Sequence, residues 1–230
     1  PLTAEIAETP DFSRSVAGGT TLASGDRDHI AKTVVTGLEP GRWYFYRFIA
    51  ADGTTSPIGR TRTLPVGSPA KFSMGVYSCS NMPFGWFNAY AHGAARSDLD
   101  LVMHLGDYIY EYNLGTYPSP EQAVAGRSVT PPNEIVTLAD YRLRYASYRA
   151  DPDLQRLHQV LPMLAMWDDH EFANDSWKGG AENHQPDTEG SWADRKRIAE
   201  RVYREWMPVS DRPAGADCWS RYEFGDLATL

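Results

Sequence analysis

The chain has 230 residues, 42% of them hydrophobic and 12% aromatic, the balance of a folded protein able to bury a core. Lysine and arginine number 22 against 30 acidic residues, and a net charge of −8 disfavours any generic nucleic-acid binding that relies on neutralising a phosphate backbone. No apolar run is long enough to cross a bilayer, no basic start followed by an apolar stretch marks a signal peptide, and two cysteines, Cys79 and Cys218, are too few for a disulfide scaffold.

In chain order, residues 1–65 read as all-β. Strands are expected over 2–7, over 32–36 and through the aromatic run Trp43-Tyr44-Phe45-Tyr46-Arg47-Phe48, and alternation puts Tyr44, Tyr46 and Phe48 on one face. The turn Thr36-Gly37-Leu38-Glu39-Pro40-Gly41 before that run is similar to the corner of a fibronectin type III or immunoglobulin-like sandwich, where a tyrosine hydroxyl bonds back to the upstream backbone. Asp52-Gly53 turns the chain into a last strand ending near Arg62. About five strands can be counted, fewer than the roughly seven of such a sandwich, so this segment reads as an incomplete one.

Residues 66–230 change to apolar runs separated by helical stretches, the pattern of an α/β layer. The runs cover 72–77, 101–105 and 163–167. A short helix is expected over 88–95. Thr137 caps a helix carrying Leu138, Tyr141, Tyr145 and Tyr148, and Asp151-Pro152 opens one carrying Leu154, Leu157 and Leu161. Ser191 caps a third, through Ile198, Val202 and Trp206, stopped by Pro208; its Arg195-Lys196-Arg197 run reads as a solvated face. Stretches 112–133 and 178–190 read as surface loops. A strand is expected over 218–224, with Cys218 inert within it. The shortage of strands at the start and the apolar close at 227–230 read as a chain truncated at both ends.

Each apolar run leads into a cluster of metal-type ligands: Ser78-Cys79-Ser80-Asn81, then Gly106-Asp107-Tyr108-Ile109-Tyr110-Glu111, then Trp167-Asp168-Asp169-His170-Glu171 with Asn174-Asp175. In an open parallel sheet, ligands bind outside the carboxyl ends of the strands, where all three clusters fall. Such a density of carboxylates requires a cation, and His170 alone supplies too little charge. Gly106 permits a sharp turn, Asp107 can bridge two cations, and Tyr110 can return to the same centre. A phenol with an ordinary pKa near ~10 needs a strong Lewis acid to ionise, which points to ferric iron. The competing reading is a strand-end Asp capping a turn beside two core tyrosines. In the third cluster Asp168 or Asp169 is a ligand, His170 faces the substrate, and Glu171 orients an imidazole. Cys79 is a thiolate ligand or a small buried hydrophobe; no nearby histidine supports a nucleophile. His104, inside an apolar strand, reads as a hydrogen-bonded core residue.

These stretches together resemble the PhoD-like (alkaline phosphatase D) family of metallophosphoesterases, and Gly106-Asp107-x-x-Tyr110 is also similar to the iron-tyrosinate motif of purple acid phosphatases. The resemblance implies an α/β sandwich of the metallophosphoesterase type preceded by an all-β sandwich domain. It implies ferric iron held by Cys79, Asp107 and Tyr110, and further divalent ions, calcium in the family, shared with Asp168, Asp169 and Asn174. His170 would contact the phosphate or protonate the leaving oxygen. The implied reaction is hydrolysis of small phosphomonoesters or phosphodiesters, in an extracellular or periplasmic setting. Metallophosphoesterases complete their metal sites from strands further downstream, so a catalytically incomplete fragment is one alternative. A non-catalytic, sandwich-bearing binding protein is another. A glycosidase built on Asp168, Asp169 or Glu171 is disfavoured, because carboxylates in one turn cannot flank a bond from opposite faces.

Overall fold

The computed structural model describes residues 1–211 and 219–230. Four strands, β1 (Leu2–Ala7), β2 (Ser15–Thr21), β3 (Trp43–Ala50) and β4 (Gly59–Arg62), form one antiparallel sheet in the order β2-β1-β3-β4. The strand expected over 32–36 does not pair. Side chains dock it instead: Thr21 Oγ1 donates to the Lys32 carbonyl at 2.7 Å, and Lys32 Nζ reaches the Val209 carbonyl at 3.2 Å. Conversely, β2 was hidden from a reading of strand propensity by Gly18 and Gly19. A Cβ at Gly18 would lie 2.6 Å from the Ala4 carbonyl oxygen, so close pairing with β1 excludes any side chain there. The corner tyrosine behaves as expected: Tyr44, 2% exposed, accepts at its hydroxyl from the Glu39 N–H at 2.9 Å.

The second layer is a parallel sheet of three short strands, β5 (Met74–Tyr77), β6 (Leu101–His104) and β7 (Met163–Ala165), in sequence order. Helix α1 (Asn88–Ala95) connects the first two. Helices α2 (Leu138–Arg149) and α3 (Pro152–Val160) lie between the second and third. Thr137 and Asp140 form a reciprocal capping box, and Asp151 accepts from the Asp153 and Leu154 N–H groups. A single turn, α4 (Pro186–Glu189), interrupts the expected loop before α5 (Trp192–Trp206), which is capped by Ser191. The apolar stripes of these helices close one core with Val102, Met163, Tyr108 and Ile109. Of the strand expected over 218–224, the described part pairs as β8 (Glu223–Phe224) against β9 (Ala228–Thr229), extended by main-chain bonds between Tyr222 and Leu230. Cys218 lies outside the described residues.

The Arg195-Lys196-Arg197 face is corrected by the fold. Arg195 is 1% exposed and bonds to Glu134, Glu189, the Tyr141 hydroxyl and two main-chain carbonyls. Spacing explains it, since Arg195 shares the inward stripe of Trp192, Ala199 and Val202. The two sheets meet through α3: Arg60 donates to the Val160 carbonyl at 3.1 Å and Tyr46 to that of His158 at 3.4 Å.

Candidate metal centre at the strand ends

The parallel ladder continues past the strands and brings their exits side by side. Leu105 N–H donates to Tyr77 O, Cys79 N–H to Gly106 O, Ser80 N–H to Asp107 O, and Met166 N–H to His104 O, all at 2.8–3.2 Å. Close approach is possible because position 106 is glycine. With φ at +107°, a Cβ there would meet the Asp168 nitrogen at 2.4 Å. The exits are also strained: Cys79 (φ 56°) and Asp107 (φ 53°) are non-glycine residues in the left-handed region. Such strain collects where a site over-determines its backbone.

Asp107, Asp169 and His170 offer ligand atoms within 4.8 Å of one another. The Tyr110 hydroxyl donates to Asp107 Oδ2 at 3.1 Å, and its ring packs on His170 with centroids 4.2 Å apart. The Cys79 thiol adjoins Asp107 and favours its charged form. Of the six expected ligands, then, Asp107, Tyr110 and Asp169 converge, with Cys79 alongside. Asp168 is exposed and outside the group, and the Asn174 amide turns to Glu182. Asn174 contributes its main-chain N–H to Glu111 at 2.7 Å.

The electrostatics suit a cation. Burial raises the Asp107 carboxyl above its ordinary range, with the neighbouring Asp169 adding to the shift and His170 and Tyr110 opposing it. Its Oδ1 is buried with no hydrogen-bond partner. An acceptor left bare beside a second carboxylate fits a metal ligand, since such a group otherwise loses its desolvation energy uncompensated. Burial and the charges of Asp107 and Cys79 push the Tyr110 phenol well up, so without a cation it keeps its proton. The oxygen and sulfur donors match a hard or intermediate ion.

Two glutamates hold this arrangement, in roles the sequence did not reveal. Glu171 does not orient an imidazole. It is fully buried and accepts from the N–H groups of Asp107 (3.0 Å), Tyr108 (2.6 Å) and Asp168 (2.8 Å), tying the second and third loops together. Burial pushes its carboxyl up to about 8 against those three donors. Glu111 is the residue that orients the imidazole. Its Oε2 meets His170 Nδ1 at 2.8 Å, and its Oε1 accepts from Asn174 N–H and from Asn183 at 3.0 Å. Burial opposes the charge of each partner, yet their pairing prevails: the Glu111 carboxyl is lowered and the His170 imidazolium raised. With Nδ1 engaged, Nε2 is left to the cluster. The only signal for Glu111 was an acid placed directly after the Asp107-x-x-Tyr110 spacing.

Comparison with known proteins gives one consistent set of relatives. The family model described as PhoD-like phosphatase matches residues 74–230, and that of the PhoD-like phosphatase N-terminal domain matches residues 1–65. Alkaline phosphatase D of Bacillus subtilis (strain 168) is 35% identical over 236 residues, an alignment covering 100% of this chain and 39% of that protein. A solved structure described as "Structure of PhoD" superposes with a TM-score of 0.89 at 35% identity, covering 99% of this chain and 44% of that one. The chain thus spans about two fifths of the length of the relatives it matches.

Proposed function

The chain belongs to the PhoD-like phosphatase family, and from that premise we propose that it is part of a metal-dependent phosphoric ester hydrolase acting on small phosphomonoesters or phosphodiesters. Residues 1–65 belong to a fibronectin III-like β-sandwich domain, and residues 66–230 to an α/β catalytic domain of the metallophosphoesterase type. Cys79, Asp107 and Tyr110 hold ferric iron; Asp169, with Asp168 and Asn174 at its margin, contributes to further divalent ions, calcium among them. The working place of the protein is extracellular or periplasmic.

The observation that carries this reading is the Asp107 carboxylate, which offers a ligand atom within 4.8 Å of those of Asp169 and His170 and has a buried Oδ1 with no hydrogen-bond partner, beside a tyrosine that only a strong Lewis acid could ionise. Bound ions supply Lewis acidity toward the phosphoryl oxygens and a nucleophilic water at neutral or alkaline pH. The chain's own residues do the rest. Glu111 accepts from Nδ1–H and favours the imidazolium of His170, in which Nε2–H can donate to a phosphate oxygen or to the departing alkoxide. Tyr110 and Tyr112, whose rings flank His170 at 4.2 and 5.5 Å, exclude water from that face.

The test uses the full-length protein with p-nitrophenyl phosphate and its bis-ester, before and after exhaustive chelation. Hydrolysis that disappears on chelation and returns with ferric and calcium ions is expected. Turnover unchanged by complete metal removal would falsify the reading.

A further inference from the structure

Arg144 lies on α2 and is 1% exposed, among the largest fully buried side chains in the protein. A buried guanidinium usually meets a carboxylate; the hydrogen bonds of this one all go to main-chain oxygens. Nη1 donates to the carbonyls of Tyr110 and of Tyr112 (3.1 Å), and Nη2 to those of Pro131 (2.9 Å) and Asn133 (3.0 Å). The first pair is where loop 112–133 leaves the candidate metal centre, and the second is where it returns. Main-chain bonds from Leu114 N–H to Pro132 O and from Ile135 N–H to Glu111 O lace the same two ends together.

We infer that Arg144 is a positioning residue for the metal centre: its planar fork closes the base of loop 112–133 and thereby sets Tyr110 and Glu111 against Asp107 and His170. The inference rests on the reading of Tyr110 as a ligand. Geometry dictates the residue type. Two parallel donor pairs held in one plane can serve two strands of chain at once, whereas the three donors of an ammonium radiate from a single point. Without the clamp, the buried carbonyls of Tyr110 and Pro131 lose this partner, as do the part-buried ones of Tyr112 and Asn133, and the loop base opens toward solvent to rehydrate them. Tyr110 and Glu111, whose backbones form one side of that base, then lose their register with the centre.

Arg144→Lys and Arg144→Met in the full-length protein test it, with Tyr110→Phe in parallel. Three measurements are made: metal-to-protein ratio by elemental analysis after dialysis against graded chelator, limited proteolysis across residues 113–130, and the thermal transition. Both Arg144 variants should release metal at chelator concentrations about tenfold to a hundredfold lower than wild type, the range for losing an outer support of a metal site, and should become cleavable within the loop. In a further variant, Arg144→Ala, which vacates the side-chain volume, methylguanidinium at low concentration should restore metal retention, since Arg144 also lines a cavity of about 330 Å³. If Arg144→Met does not fold, Arg144→Lys decides. Metal loss in Tyr110→Phe but not in Arg144→Lys overturns the inference and leaves the ligand reading standing. Wild-type retention in both variants ends the two together, and loss in Arg144→Lys alone overturns the inference as well.

Discussion

At the scale of single residues, the candidate centre depends on positions whose side chains are absent or hidden. Gly106 is one. A methyl group there must displace the Asp168 backbone, 2.4 Å away, and must also hold a conformation that L-residues avoid. Gly106→Ala should therefore cost about 3 kcal/mol of stability, measured by urea unfolding, and should weaken metal retention further by separating Asp107 from Asp169. Glu111 is the other. The folded pKa of His170 lies above its ordinary value of 6.5 because the Glu111 carboxylate, against the cost of burial, holds the proton on Nδ1. In the metal-free chain, Glu111→Gln should bring the His170 titration down, read from its imidazole proton shifts by NMR. An unchanged titration would mean that Asp107 and Asp169, not Glu111, govern the ring.

At the scale of elements, the helices were legible because their start signals are local: Thr137, Asp151 and Ser191 each sit one residue before the helix they cap, and Pro152 is the first residue of α3. Asp151 shows what such a pattern omits. One carboxylate oxygen caps α3, and the other meets Arg127 at 2.7 Å in a pair 6% and 1% exposed. Asp151→Ala should cost about 3–5 kcal/mol, since it removes a cap and strands a buried guanidinium, whereas Ser191→Ala should cost only ~1 kcal/mol. Chemical denaturation of the two variants separates these cases; equal losses would leave the Arg127 pair without weight. The same limit explains the errors elsewhere. Strand β2 could not be read because two glycines erase the side-chain alternation, and residues 32–36 misled because alternation without a pairing partner still resembles a strand. Arg144, Arg195 and Glu171 were opaque since their partners are backbone groups and acids from distant segments. The ligand clusters, in contrast, follow directly on apolar runs, so Asp107, Tyr110, Asp169 and His170 could be placed at one rim from sequence order alone.

At the scale of the whole molecule, two histidines, buried His104 and half-buried His158, resist taking up a proton. Burial lowers His104 to about 4, where its ring meets the Tyr90 hydroxyl at 2.8 Å. Burial, with Arg149 beside it, holds His158 well below 6.5 while its Nε2 lies 2.8 Å from the Tyr108 hydroxyl. An unfolded chain takes up these protons as pH falls through about 6.5, and the native chain does not, so stability declines from there downward. For His104 the decline runs to about pH 4 and amounts to on the order of 3 kcal/mol; the raised His170 acts in the opposite sense. His104→Gln should flatten the loss by close to one proton in urea unfolding between pH 6.5 and 4, and an unaltered slope would show that His104 charges within the fold. The parallel sheet poses a separate question of cover. Its helix-covered face carries Val102 and Met163, both buried, while the opposite face, covered at Leu101 and half-buried at Met103 and Leu164, carries Met74 and Val76, 36% and 57% exposed, with Leu105 and Met166 beyond the strand ends also exposed. Parallel sheets are ordinarily covered on both faces, and a contiguous apolar surface in water is a site of association. This 230-residue chain should accordingly bind a hydrophobic fluorescent dye and self-associate at high concentration. The double variant Val76→Lys with Met166→Lys should suppress both effects without shifting the thermal midpoint, because neither side chain is packed in the core. A lowered midpoint with dye binding intact would mean that the face is already covered within the chain.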